Sequence, residues 1–227
     1  MESGRGGGEC KERHSCQIKK DMISDKDISA IRENYHARDH NNDYNEKNLG
    51  FGLIHYAFIR NIKPERVLAV GSQRGYVPAI LALACKHNGK GMVHFVDKGC
   101  RMDEENAWGG IGIWRTATKD YWKPLGIQDF ITLHNESTEE YEAKLTTKDK
   151  FDYAHIDGDH SYEGVKRDKK LFWKYLVKEG LMAFHDTNTD KMTDYGKCGV
   201  KKFWQELEGE KITFNQSAGL GIIQKNG

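Results

Sequence analysis

Residues 66–85 constrain this chain more than any other stretch. They open on Val67, Leu68, Ala69 and Val70, an aliphatic run with no polar break, which suits a strand buried on both faces. The run stops at Gly71-Ser72-Gln73-Arg74-Gly75 and resumes at Tyr76 as an Ala- and Leu-rich stretch long enough for a helix. Strand, glycine turn and helix together open a nucleotide-binding βαβ unit. Glycines let the backbone turn sharply and approach a ligand, and the helix start presents free N–H groups to the same space. A second apolar strand, residues 92–96, ends at Asp97, where a carboxylate can accept hydrogen bonds from both hydroxyls of a ribose. The turn lacks the G-x-G-x-x-G order of dinucleotide enzymes, and without a Lys-Ser or Lys-Thr pair it is not a P-loop. The plainer alternative is a strand–helix junction that binds nothing.

At 227 residues the chain suits one α/β domain with an extension. Residues 1–24 are polar and glycine-rich, the pattern of a disordered start. Residues 24–35 suit a short capped helix, and 36–48, loaded with Asn, Asp and His, a loop that is either a solvated linker or a flap over a site. The expected division is an extension or lid over 1–44 and one domain over 45–227. A helix is expected over 49–62 and strands over 130–134 and 151–156. After a Ser161 cap a helix follows, with Val165, Phe172 and Leu176 on one face and Gly180 at its end. A fifth strand over 181–184, a helix over 200–207 and a hairpin of 211–214 with 220–224 complete the chain. Trp108 and Trp114, with glycines between, are read as a mobile substrate wall or, equally, as core tryptophans. The alternation implies a Rossmann-like, doubly wound, mostly parallel seven-stranded sheet with a C-terminal antiparallel hairpin.

A net charge of +1 offers no global field for nucleic acid or an anionic membrane. No apolar run reaches the roughly eighteen residues of a membrane span. The five cysteines are odd in number and form no C-x-x-C pair, which suits reduced thiols and a cytoplasmic protein. Cys10, His14 and Cys16 on a glycine-rich tail make a poor zinc site.

In a doubly wound sheet, ligands bind beyond the carboxyl ends of the strands. The residues there are 71–75, Asp97, Asn135 to Ser137, Asp157 to His160, and His185 with Asp186. Asp157, Asp159, His160, His185 and Asp186 put three carboxylates and two imidazoles at two strand ends. Carboxylate oxygens suit a hard divalent cation, and an imidazole beside it can take a proton near neutral pH. The plainer alternative is that these acids cap helices and pair with Lys or Arg.

With these residues in place, the chain resembles class I S-adenosylmethionine-dependent methyltransferases. It is most similar to the sugar and natural-product O-methyltransferase branch (family 24-like), some of whose members depend on magnesium. The likeness spans residues 49–225 and is most specific over 151–165, followed by Gly180 and by His185-Asp186-Thr187. It implies that Gly71, Ser72, Gln73 and Gly75 line the methionine part of the cofactor, with Asp157 beside it. Asp97 would hold the ribose, and Asn135 with Ser137 would border the adenine. Asp157, His185 and Asp186 fall at the metal-ligand positions, and His160 at that of a catalytic base. Where many members carry an acid before the turn and a glycine within it, this chain has Ala69 and Gln73. The acceptor implied is a small molecule, with no nucleic acid and no membrane as partner, and self-association is left open. The alternatives are a donor-binding protein without catalysis and a nicotinamide-dependent oxidoreductase.

Overall fold

A computed structural model describes residues 22–99, 113–193 and 196–226. The N-terminal Cys10, His14 and Cys16 lie outside the described residues, as does Trp108. Seven strands form one sheet in the order β3-β2-β1-β4-β5-β9-β8. These are β1 (Arg66–Val70), β2 (Met92–Val96), β3 (Ile131–His134), β4 (Phe151–Ile156), β5 (Leu176–His185), β8 (Lys211–Phe214) and β9 (Leu220–Gln224). The first five run parallel, and β9 and β8 close the edge antiparallel, as the Rossmann-like expectation has it. A two-stranded ribbon, β6 (Met192–Thr193) and β7 (Gly196–Lys197), sits apart from the sheet.

Both sheet faces are covered, so the central strands are apolar in both directions. Val67, Ala69, Val93, Phe95 and Tyr153 point into one core; Leu68, Val70, Val96, Ala154 and Ile156 point into the other. The first core packs under α1 (Asp25–Asn34), α2 (Phe51–Ile62) and α3 (Tyr76–Asn88). The second packs under α5 (Tyr162–Trp173) and α6 (Val200–Glu206), with α4 (Thr138–Glu142) beside them. Helix α3 is buried from Tyr76 to Cys85, and Pro78 is tolerated because it lies in the first turn, whose N–H groups have no intrahelical partner. Helix α1 begins with a Ser24–Asp27 capping box and delivers Ile31 and Tyr35 fully buried to the first core.

One expectation changes, and one pair of alternatives is decided. The helix after Ser161 ends at Trp173, and Gly180 lies within β5, which begins at Leu176. Leu176 pairs with Phe151 and Leu181 with Tyr153, so the extra residues between them bulge out of the ladder. Glu179, with φ 63, and Gly180 turn that bulge, a task the sequence pattern mistook for a helix stop. Of its two readings, Trp114 takes the core one. It is buried, stacks on Trp122 at 5.6 Å and donates its Nε1–H to the Ser72 carbonyl at 2.8 Å.

Asp168 of α5 is buried, accepts from the Thr138 hydroxyl at 2.9 Å, and has the Arg167 guanidinium 3.6 Å away. Burial pushes its carboxyl up to about 6. A carboxylate raised above its unfolded value stabilises the fold least above its folded pKa, so stability falls as pH rises from about 4 through 6. Asp168→Asn is therefore expected to stabilise the protein at pH 8, by on the order of 1–2 kcal/mol. The gain in urea midpoint should shrink as the pH is lowered to 5; an equal gain at both values would remove the buried carboxylate as its cause.

Candidate active site

The glycine turn after β1 and the ends of β4 and β5 meet at one place. Asp157 follows β4 and donates its backbone N–H to the Val70 carbonyl at 2.8 Å, which fixes it beside the turn. Gly71 has φ 71, and a Cβ there would lie 2.2 Å from the Asp157 carbonyl oxygen. His185 ends β5, and Asp186 follows it in the left-handed region at φ 62, an uncommon conformation for a residue with a Cβ.

Four polar side chains converge there. His185 Nδ1 lies 3.3 Å from Asp157 Oδ1 and 3.3 Å from Asp186 Oδ1. His160 Nδ1 donates to Asp186 Oδ2, and its Nε2 is 3.9 Å from Asp157 Oδ1. Burial by itself lowers an imidazole's pKa. Here the Asp186 hydrogen bond and the nearby Asp157 carboxylate outweigh it, and His160 rises to about 10. The same contest, won by Asp157 and Asp186, takes His185 to about 9. Burial opposes charge on Asp157, yet His185 and its other imidazole neighbours hold that carboxyl well below the usual range. The carboxylates thus raise both imidazoles, and the imidazoles in turn lower Asp157.

Other histidines surround it. His40, from the loop between α1 and α2, stacks on His185 with ring centroids 4.1 Å apart. The preceding carbonyl, of Asp39, accepts from His185 Nε2 at 3.2 Å. Below Asp157, His155 is fully buried with no hydrogen-bond partner on either ring nitrogen, and its Nε2 is 3.9 Å from Asp157 Oδ2. It meets His55 edge-on, and His55 Nδ1 pairs with the Tyr153 hydroxyl at 2.7 Å.

Among the described residues, two sets of three ligand-bearing groups have atoms within 4.8 Å of one another. One is His40, Asp157 and His185; the other is His160, Asp186 and Cys198. The trio Asp157, His185 and Asp186 expected as metal ligands is therefore divided between them. His185 is set up to ligate, because its Nε2–H is held by a backbone carbonyl and Nδ1 faces the carboxylates. Asp159 points elsewhere, accepting from the Ser161 backbone and pairing with Arg167, so it belongs to the helix start.

On the other side of the turn, Asp97 is half-buried and accepts from the Gly99 N–H at 2.8 Å and the Ser72 N–H at 3.3 Å. Burial pushes its carboxyl up against these two bonds. A carboxylate has about four acceptor sites, so capacity for two hydroxyls remains. Asn135 is exposed and donates to the Asp97 carbonyl at 3.0 Å. The Ser137 hydroxyl and N–H are both committed to a capping box with Glu140. Ser72 is buried, Gln73 is exposed, and Gly75 starts α3 against the rings of Trp114 and Trp122.

A methyltransferase-domain family model matches residues 68–187, more than half of the chain, from β1 through Thr187. The chain belongs to this methyltransferase family. No curated protein sequence matches it. Solved structures do so in fold. A Klebsiella pneumoniae protein assigned as an O-methyltransferase is 16% identical, with a TM-score of 0.63, over 94% of this chain and 96% of its own. The O-methyltransferase TomG of Streptomyces achromogenes, solved with S-adenosylmethionine, is 13% identical with a TM-score of 0.58, over 96% and 100%. A Bacillus cereus O-methyltransferase, solved with S-adenosylhomocysteine, is 13% identical with a TM-score of 0.57, over 90% and 92%. Among the described residues of the methyltransferase, no helix is long and apolar enough to cross a membrane, and Cys85 and Cys198 are free thiols.

Reading the sequence missed His40, His155 and Cys198 at the candidate site. A signal existed for His155, which stands two residues before Asp157 and so shares its strand face. For His40 there was only the composition of its loop, and for Cys198 none.

Proposed function

We propose that this methyltransferase uses S-adenosylmethionine to methylate a hydroxyl of a small molecule, such as a sugar or natural product, with a divalent cation assisting. The observation that carries this is the convergence of Asp157, His160, His185 and Asp186 beside the glycine turn. The sulfonium donor brings an activated methyl group, so the protein's task is to align oxygen, carbon and sulfur. Gly71, Ser72, Gln73 and Gly75 with Asp157 would border the methionine part, Asp97 the ribose, and Asn135 and Ser137 the adenine. Ser137 could do so only through groups its helix cap leaves free.

The carbon–oxygen bond forms as the carbon–sulfur bond breaks, and the hydroxyl proton passes to His160. Asp157 and His185, with Asp186 beside them, would hold the cation, whose charge lowers the pKa of the acceptor hydroxyl. The Asp186 hydrogen bond and the Asp157 charge favour the protonated form of His160, which must lose that proton before it can act as a base. The carboxylates that hold the proton are those a cation would occupy, so ion uptake and deprotonation of His160 are coupled. Asp186, strained at φ 62, positions the imidazole.

Calorimetry with S-adenosylhomocysteine is expected to give one site per chain, and its absence would remove the donor assignment. His160→Gln should then slow turnover by about 10²- to 10⁴-fold while donor affinity stays within a few-fold. Equal losses in both would remove His160 as the base.

A further inference from the structure

The loop that carries His40 is built more rigidly than a solvated linker needs. Asp39 and Asn41 flank His40 in left-handed backbone, at φ 63 and 54. The His40 carbonyl accepts from the Phe51 N–H at 2.8 Å, which ties it to the start of α2. Gly50, at φ 50, closes the loop so tightly that a Cβ would lie 2.3 Å from the carbonyl oxygens of His40 and Asn41. Strained residues on both sides and a glycine lock thus hold one imidazole in place. That imidazole is buried, its Nδ1 has no hydrogen-bond partner, and its ring lies against His185. A ring nitrogen of each histidine and an Asp157 oxygen are within 4.8 Å of one another, whereas Asp186 belongs to the other set.

We infer that His40 is the third ligand of the cation site, so that two imidazoles and one carboxylate bind a borderline transition ion in preference to magnesium. The assignment rests on the cation site proposed above and changes both its ligands and its ion. Imidazole nitrogen favours zinc, cobalt, nickel and ferrous iron, while magnesium favours an oxygen shell and keeps its waters. Asp186 is then left to hold His160, consistent with its hydrogen bond to that ring.

The test is titration of the metal-free full chain with cobalt(II) and, separately, with magnesium, read by calorimetry and by cobalt's visible absorption. It compares the wild type with His40→Phe, which keeps a flat ring against His185, with His40→Gln, and with Asp157→Asn. Thermal midpoints and S-adenosylhomocysteine affinity identify variants that retain the fold. Both His40 variants are expected to lose at least about 100-fold in cobalt affinity, as the loss of a direct ligand should exceed the effect of its supporting groups. Their cobalt absorption should weaken, and magnesium affinity should stay within about threefold. Folded His40 variants with unchanged cobalt affinity and absorption, beside an Asp157→Asn that has lost the ion, would overturn His40 as a ligand and leave the cation site standing. A wild type that takes up neither ion would overturn the cation site, and this inference with it.

Discussion

Asp157→Asn is expected to cut methyl transfer by roughly 10³-fold and to abolish cation uptake, since one carboxylate serves the base, the ion and the histidine network. Three imidazoles lie within 4 Å of it, His185 at 3.3 Å, His160 at 3.9 Å and His155 at 3.9 Å, and His40 is a little farther off. Asparagine is nearly isosteric but removes the charge that chiefly raises His185 and that adds to the Asp186 hydrogen bond in raising His160. Breaking such a buried pair costs about 3–5 kcal/mol. The sign of the pH dependence follows from the directions of the shifts. Asp157 is depressed, so its contribution is present above its unfolded pKa and fades as pH falls. His160 and His185 are raised, so theirs is full below their unfolded pKa near 6.5 and fades as pH rises through about 9 and 10. The stability gap between the metal-free wild type and the variant should therefore be widest at mildly acid to neutral pH and narrow at both extremes. Urea midpoints across that range measure it. A gap that does not vary with pH would mean that the asparagine acts through packing rather than charge.

Gly71→Ala is expected to destabilise the fold by at least about 3 kcal/mol and to remove donor binding with it. A side chain at φ 71 is disfavoured from the outset. The new methyl group would also lie 2.2 Å from the Asp157 carbonyl oxygen and 2.6 Å from the Gly158 Cα. Both are backbone atoms, so no flexible side chain can yield. The end of β4 would have to move away from β1 and carry the Asp157 carboxylate out of the site. An unfolding free energy within about 1 kcal/mol of wild type from denaturant titration and intact S-adenosylhomocysteine binding would contradict this. The glycine is then a packing requirement of the junction as much as a place for a ligand.

Much of the architecture was legible because it rests on local, periodic signals. The aliphatic run of β1, the largely apolar stretches of β2 and β4, the Ser24 and Ser161 caps and the glycine turn each follow from near neighbours in sequence. Where a local signal misled, a distant partner had overridden it. Gly180 resembled a helix stop, but pairing with β4 and β9 draws it into a bulged strand. For Trp114 the sequence left a wall and a core position open, and Trp122, Phe95 and the Ser72 carbonyl decide for the core.

The same division runs through the site. The sequence alone determined which strand ends carry acids and imidazoles, because a parallel sheet brings all its carboxyl ends to one edge whatever the loops do. It could not determine which of those groups touch, since that depends on a few ångströms of register and on rotamers packing selects. Only the tertiary structure tied Asp186 to His160, buried His155 beneath Asp157, and brought His40 from a distant loop onto His185. The α1–α2 loop carries no periodicity, and its path is set by long-range contacts: α1 against the core, the Phe51 N–H on the His40 carbonyl, and the turn at Gly50. Side chains far apart in sequence meet because the two layers of core on either side of the sheet leave them one place to go.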